Sequence, residues 1–156
     1  MIPIDSLLGQ SFSVLSCTEF DNGSCFDEAF ITGGDSITGF VSLWDINSNA
    51  TTFTLTLIND LNVDPNFATF LEFTSGPGPG FVWQGCSSND LNGATIQWSL
   101  TYCRIIFNQS YSAGSRFSIQ PEIGSVFTPE PPSLMLTALG FLLLLTLFKL
   151  KRLAFA

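Results

Sequence analysis

Polar and apolar positions alternate with a period of two over residues 52–57, where Thr52, Thr54 and Thr56 interleave with Phe53, Leu55 and Leu57. Residues 95–102 repeat the pattern through Ile96, Trp98, Leu100 and Tyr102. Successive side chains of a strand point to opposite faces, so each run can press one face on a core while the other meets water. Both runs predict strands. Stretches rich in Phe, Ile, Val and Thr at 11–16, 36–44, 67–74, 81–84, 104–107 and 116–119 predict further ones. Turn-forming residues separate them at Gly33-Gly34-Asp35, Asn47-Ser48-Asn49, Asn59-Asp60, Gly76-Pro77-Gly78-Pro79-Gly80, Asn92-Gly93 and Ala113-Gly114. No helical period appears before residue 133, and no internal repeat. Short strands at this spacing predict an all-β chain: an antiparallel β-sandwich or jelly-roll-like domain over residues 1–120, followed by a single C-terminal hydrophobic helix.

The pattern changes at Pro121. Pro121, Pro129, Pro131 and Pro132 fix the backbone and cannot donate ladder hydrogen bonds, so residues 121–132 are expected to form an extended linker. Residues 134–148 then carry no charge and are apolar on every side. At about 1.5 Å per residue they span about 22 Å, short of the roughly 30 Å hydrocarbon core of a bilayer, though Ser133, Leu150 and snorkelling lysines lengthen the reach. Residues 133–156 are therefore expected to form a short membrane-spanning tail.

Charge divides the chain at the same place. Twelve of the 13 acids precede Pro129, against Arg104 and Arg116 alone, whereas the only charges after Pro131 are Lys149, Lys151 and Arg152. An acidic body with a basic terminus suits a single crossing with the positive end inside. Such a body repels nucleic acid, whose binding needs cations on phosphates. The chain has no His. That removes the commonest general base and metal ligand, and with it Ser-His-Asp, Cys-His and most zinc chemistry.

The tripeptide Pro129-Glu130-Pro131, a short gap, a Leu-rich apolar segment containing Gly140, and the cluster Lys149, Lys151 and Arg152 near the terminus together resemble a PEP-CTERM sorting signal. The resemblance covers about residues 128–152 and does not extend to the domain before them. It implies that the tail halts an exported precursor in the inner membrane of a Gram-negative bacterium. It also implies that exosortase, a membrane-embedded cysteine transpeptidase, cuts at the tripeptide, leaving the protein at the cell surface or outside, in company with exopolysaccharide. Physically, the prolines keep the tripeptide extended, the apolar segment sets its depth, and the cations hold the far end in the cytoplasm. The logic matches lipid-anchor signals whose hydrophobic tail is discarded. A plain single-span anchor is the alternative. Residues 1–8 lack the basic and apolar stretches of an export leader, while Ile2-Pro3-Ile4 suits a mature terminus left after cleavage; the reading expects a leader that this sequence does not carry.

Cys17, Cys25, Cys86 and Cys103 permit two disulfides in an exported domain. Three pairings exist. Cys17 with Cys25 and Cys86 with Cys103 are favoured because each pair is near in sequence across turn residues; four buried free thiols are the alternative. No cofactor is demanded. The alternating oxygens of Asp60, Asn62 and Asp64 raise Ca²⁺ as a weak candidate, but Pro65 stands where a calcium loop needs Gly and Leu71 where it needs an acid, and Asx turns explain the segment otherwise. Asp27 and Glu28, adjacent on a strand, would face opposite ways and make a poor acid/base pair. With no nucleophile elbow and no phosphate loop, the expectation is a non-enzymatic matrix or binding protein, a surface glycan-active enzyme built from distant carboxylates being the least favoured alternative. Its partners would be exosortase, the inner membrane before processing, and exopolysaccharide or other matrix proteins. A carbohydrate-binding module is the rival, with Trp83, beside the Gly-Pro loop, as the expected exposed stacking residue; Trp98 and Tyr102 share the parity of an apolar face and are expected in the core.

Overall fold

A computed structural model describes residues 3–18, 25–64, 66–78 and 80–125 of the chain. Eleven strands follow one another: β1 (Pro3–Ile4), β2 (Ser11–Thr18), β3 (Cys25–Thr32), β4 (Ser36–Phe40), β5 (Trp44–Ser48), β6 (Phe53–Leu57), β7 (Thr69–Ser75), β8 (Phe81–Ser87), β9 (Thr95–Trp98), β10 (Tyr102–Phe107) and β11 (Arg116–Ser125). They make two antiparallel sheets of a sandwich-like, all-β body, and no helix occurs among the described residues. The predicted C-terminal helix, the tripeptide Pro129-Glu130-Pro131 expected to act in sorting, and the cations Lys149, Lys151 and Arg152 lie outside those residues.

One sheet runs β3-β2-β7-β10-β9. The other is organised by β11, whose first half pairs with β6, and so with β5 and β4, while its second half pairs with β8 and β1. Pro121 falls where β11 changes partner, between Ile119 opposite Phe53 and Glu122 opposite Gly85. A residue without an N–H is tolerated at such an irregular point. The strand therefore continues to Ser125, and residues 121–125 belong to the sheet, not to the linker expected at 121–132.

Period two does the rest. In β6, Phe53, Leu55 and Leu57 are buried while Thr54 and Thr56 are half-buried. In β10, Cys103, Ile105 and Phe107 turn inward. Rings fill the space between the sheets: Phe12 meets Phe53 and Phe81 at 4.9 Å, and Trp44 stacks on Phe107 at 4.9 Å. Phe117 and Tyr111 close that second group at 5.0 Å. Edge-to-face and offset pairs of this kind add about 0.5–1.5 kcal/mol each beyond their buried area.

Two predicted strands are each divided by a turn. Residues 36–44 break at Val41 and Ser42, both at positive φ, 48° and 58°, with Leu43 N donating to Phe40 O. Residues 95–102 break at Ser99–Thr101, so Trp98 ends β9 and Tyr102 begins β10. Gly39, at φ 73°, accepts from Ser42 N and opens the first turn, whereas the second contains no Gly, Pro, Asn or Asp. The strand β3 carries Asp27 and Glu28 and pairs only with β2, so no apolar alternation marks it; acidic residues on an edge discourage strand addition. The turn after β3 demands glycine: a Cβ on Gly33 would sit 1.7 Å from Leu7 O.

Candidate functional site

The two disulfides join the favoured pairs, Cys17–Cys25 and Cys86–Cys103. The first ties β2 to β3 within one sheet. The second links β8 to β10 and therefore bridges the two sheets, beside a hydrogen bond from Trp83 N to Leu100 O. One side of the sandwich is thus closed by covalent and main-chain links.

Trp83 is the chief correction to the sequence reading. It follows Phe81 at the inward phase of β8, is 0% exposed, and packs on Phe12 and Phe81. Its neighbourhood in sequence, the Gly-Pro loop, suggested exposure; strand parity decides against it. The indole Nε1 finds no acceptor among the described residues. Trp83 cannot stack on a glycan. Trp98, placed in the core by parity, is instead 44% exposed, because it stands at the end of the edge strand β9 where no neighbour covers its face.

Of the calcium candidates, Asp64 makes an Asx turn and Asp60 a long-range bond to the backbone. Asp64 Oδ1 accepts from Asn66 N at 2.9 Å, and Asp60 Oδ1 accepts from Ala113 N at 2.8 Å, across the chain. Both oxygens are spent on backbone donors, with Asn62 between them, and no group of three or more acids or cysteines poised for a metal occurs among the described residues. Asp27 and Glu28 are consecutive in β3 and so point apart; Glu28 accepts from Ser13 Oγ on the outer face.

The outer face of the β3-β2-β7-β10-β9 sheet holds an arrangement that the sequence did not announce. Arg104 lies directly opposite Glu72 and Gln97 in the ladder. Its Nε and Nη2 donate to Glu72 Oε2 at 2.9 and 2.5 Å, and Nη1 donates to Gln97 Oε1 at 3.3 Å. The guanidinium also lies over Phe70 at 4.4 Å and Tyr102 at 4.3 Å. Cation–π contacts and a shared carboxylate hold this group in place. The donors used on Glu72 and Gln97 are consumed within the face, so the cluster braces three strands and offers little to an anion. The legible signal was parity, since Tyr102 and Arg104 share one phase of β10 and Phe70 and Glu72 one phase of β7.

A recess lies between the edges β3 and β4, along the side away from the Cys86–Cys103 bridge. This cleft of about 490 Å³ is lined by Phe30, Thr32, Asp35, Ser36, Asn47 and Ser48, with Ile31 and Ile37 beneath. Ser48 fixes its rim: Oγ accepts from Gly34 N at 2.8 Å and donates to Asp35 O at 2.9 Å. Phe30, 58% exposed, supplies an apolar wall beside the carboxylate, amide and hydroxyl groups. An exposed ring beside a carboxylate, an amide and hydroxyls is a lining that a polar ring-shaped ligand could meet. Compared with known protein families, with curated proteins and with solved structures, the chain matches none.

Proposed function

We propose that this chain is an exported protein, sorted through its C-terminal tail by exosortase at the inner membrane of a Gram-negative bacterium. Its mature body then serves at the cell surface or in the extracellular matrix as a non-catalytic structural or binding component. The observation that carries the reading is the sheet-to-sheet bridge Cys86–Cys103, accompanied by Cys17–Cys25, in a strongly acidic all-β body. Paired cysteines of this kind persist in oxidising compartments outside the cytoplasm. The order of Pro129-Glu130-Pro131, apolar segment and basic stop supplies the route. Replacing Glu130 with Ala in the host tests it. The recognised carboxylate is removed while the apolar span persists, so a full-length species should accumulate in the inner membrane. Normal release of a shortened Glu130→Ala protein would refute exosortase sorting.

Carbohydrate binding is the second reading, and Phe30 now carries it in place of Trp83. Phe30→Ala should abolish retention on host exopolysaccharide while leaving the melting temperature unchanged, since the ring is largely in water. Undiminished retention would remove the β3–β4 cleft as the glycan site.

A further inference from the structure

We propose that the open side of the sandwich, between the edge strands β3 and β4, takes an extended, positively charged segment of another protein as an added strand. This gives the binding role proposed above a class of partner, and it rests on the non-catalytic reading of the body.

Hydrogen-bond phase shows where the main-chain groups of that side point. Gly33 N donates to Gln10 O, which sets the bonded positions of the β2–β3 ladder, and on the far side of β2 Gly76 N donates to Ser11 O. Bonded and non-bonded pairs alternate in an antiparallel ladder, so Ile31 and Ala29 turn their N–H and C=O groups to Phe12 and Val14. Phe30, between them, turns its own away from β2. The strand β4 repeats the geometry. Ser48 N donates to Asp35 O, so the next bonded pair is Ile37 with Ile46, and Ser36 turns its N–H and C=O away from β5.

Neither edge has a second ladder partner, since β3 pairs only with β2 and β4 only with β5. Phe30 and Ser36 both line the cleft of about 490 Å³ between them. On the opposite side of the sandwich, the Cys86–Cys103 bridge and the bond from Trp83 N to Leu100 O draw the sheets together. The β3–β4 side therefore offers what an incoming strand uses: main-chain donors and acceptors for affinity, with side chains at alternate positions for selection. A sugar ring would meet the side chains and leave the main-chain edges unpaired.

Charge names the partner. Asp27, Glu28 and Asp35 are exposed along this side. The only cations before Lys149 sit elsewhere: Arg104 on β10, three strands in from β3 and bonded to Glu72, and Arg116 on β11, three strands in from β4. A second copy adding its own β3 would set acids against acids, and like charges directly opposite destabilise a strand pair. The acids thus bar self-addition while drawing a strand that carries lysine or arginine.

The test uses the full chain, disulfides intact, in detergent micelles, with a short end-blocked peptide of alternating lysine and valine as the probe. One control peptide replaces lysine with glutamate; another keeps the lysines but is N-methylated at every residue. Phe30→Pro removes an N–H that points off the sheet, a place where an edge strand tolerates proline. The proposal expects the lysine peptide to bind, to slow amide exchange at Phe30 and Ser36, and to weaken as salt screens the acids. Affinity should fall roughly tenfold or more with Phe30→Pro or with the N-methylated peptide, because main-chain bonds are lost. Phe30→Ala keeps the N–H and should retain most of the binding. Should Phe30→Pro fail to fold, the N-methylated peptide decides alone. Equal binding of the glutamate or the N-methylated peptide overturns the proposal, as does a lysine peptide that does not bind. Slowed exchange at Phe30 as the chain alone is concentrated means that a second copy fills the edge, and overturns it too. Exopolysaccharide retention that Phe30→Ala abolishes, with no peptide binding, gives the cleft to a glycan instead. Depolymerisation of exopolysaccharide by the purified chain would defeat the non-catalytic reading, whatever the peptides do.

Discussion

At the scale of single residues, burial decides what each aromatic can contribute. Trp83→Ala removes an indole with no exposed atom, and the cavity it leaves is expected to cost about 3–5 kcal/mol. Chemical denaturation should therefore register it as a large shift in midpoint, and any loss of ligand retention should follow unfolding. Full stability in that variant would mean the ring is not in the core. Phe30→Ala, on an exposed edge, should move stability by no more than about 0.5 kcal/mol. Tyr111 adds a pH signature. Burial pushes its phenol above the ordinary 10.0, and the neighbouring Gln109 amide opposes that shift only in part. The folded state then holds the proton more tightly than the unfolded chain, so this contribution is complete below pH 10 and is lost as pH rises through the folded value. Alkaline melting of wild type should fall faster above pH 10 than that of Tyr111→Phe; parallel curves would contradict the assignment.

At the scale of strands and turns, the sequence disclosed period but not punctuation. The alternation at 52–57 became β6, and runs near 11–16, 67–74, 81–84, 104–107 and 116–119 became β2, β7, β8, β10 and β11, because buried Phe, Leu and Ile at every second position leave a strand no other way to sit. The turns at Val41-Ser42 and Ser99-Leu100-Thr101 stayed hidden, since Gly39, Ser42 and Ser99 are single weak turn signals inside runs of strand-forming residues. The edge strand β3 was missed for a related reason: Asp27 and Glu28 protect an edge and erase its apolar rhythm. Of the candidate sites, the cysteine pairing was legible from spacing, while the β3–β4 cleft was not, because Phe30, Asp35 and Asn47 meet only once the sandwich forms. The Val41-Ser42 turn makes a stability prediction. Both positions take positive φ, which suits Asn and Gly far better than Val and Ser. Val41→Asn with Ser42→Gly should raise stability by about 1 kcal/mol. A lowered melting temperature would mean the turn is not the one described. The disulfides differ in loop length, with separations of 17 and 8 residues. On a chain-entropy account, Cys86→Ser with Cys103→Ser should cost about 3 kcal/mol and Cys17→Ser with Cys25→Ser about 2.5.

At the scale of the whole molecule, an acidic, doubly bridged sandwich is joined to a segment whose order of prolines, apolar residues and cations reads as a sorting address. The body's features would serve a protein outside the cell: few cations to attract nucleic acid, disulfides that need an oxidising medium, and a recess of about 490 Å³ on the edge away from the bridged side. The tail would bring it there and then be discarded. The measurement that tests this most directly is the intact mass of the mature protein isolated without reduction from the host's surface or medium. The account predicts a chain that ends near Pro129-Glu130-Pro131, lacks residues 134–148 and retains both disulfides. A mature protein that still carries residues 134–148, or that has four free thiols, would contradict it.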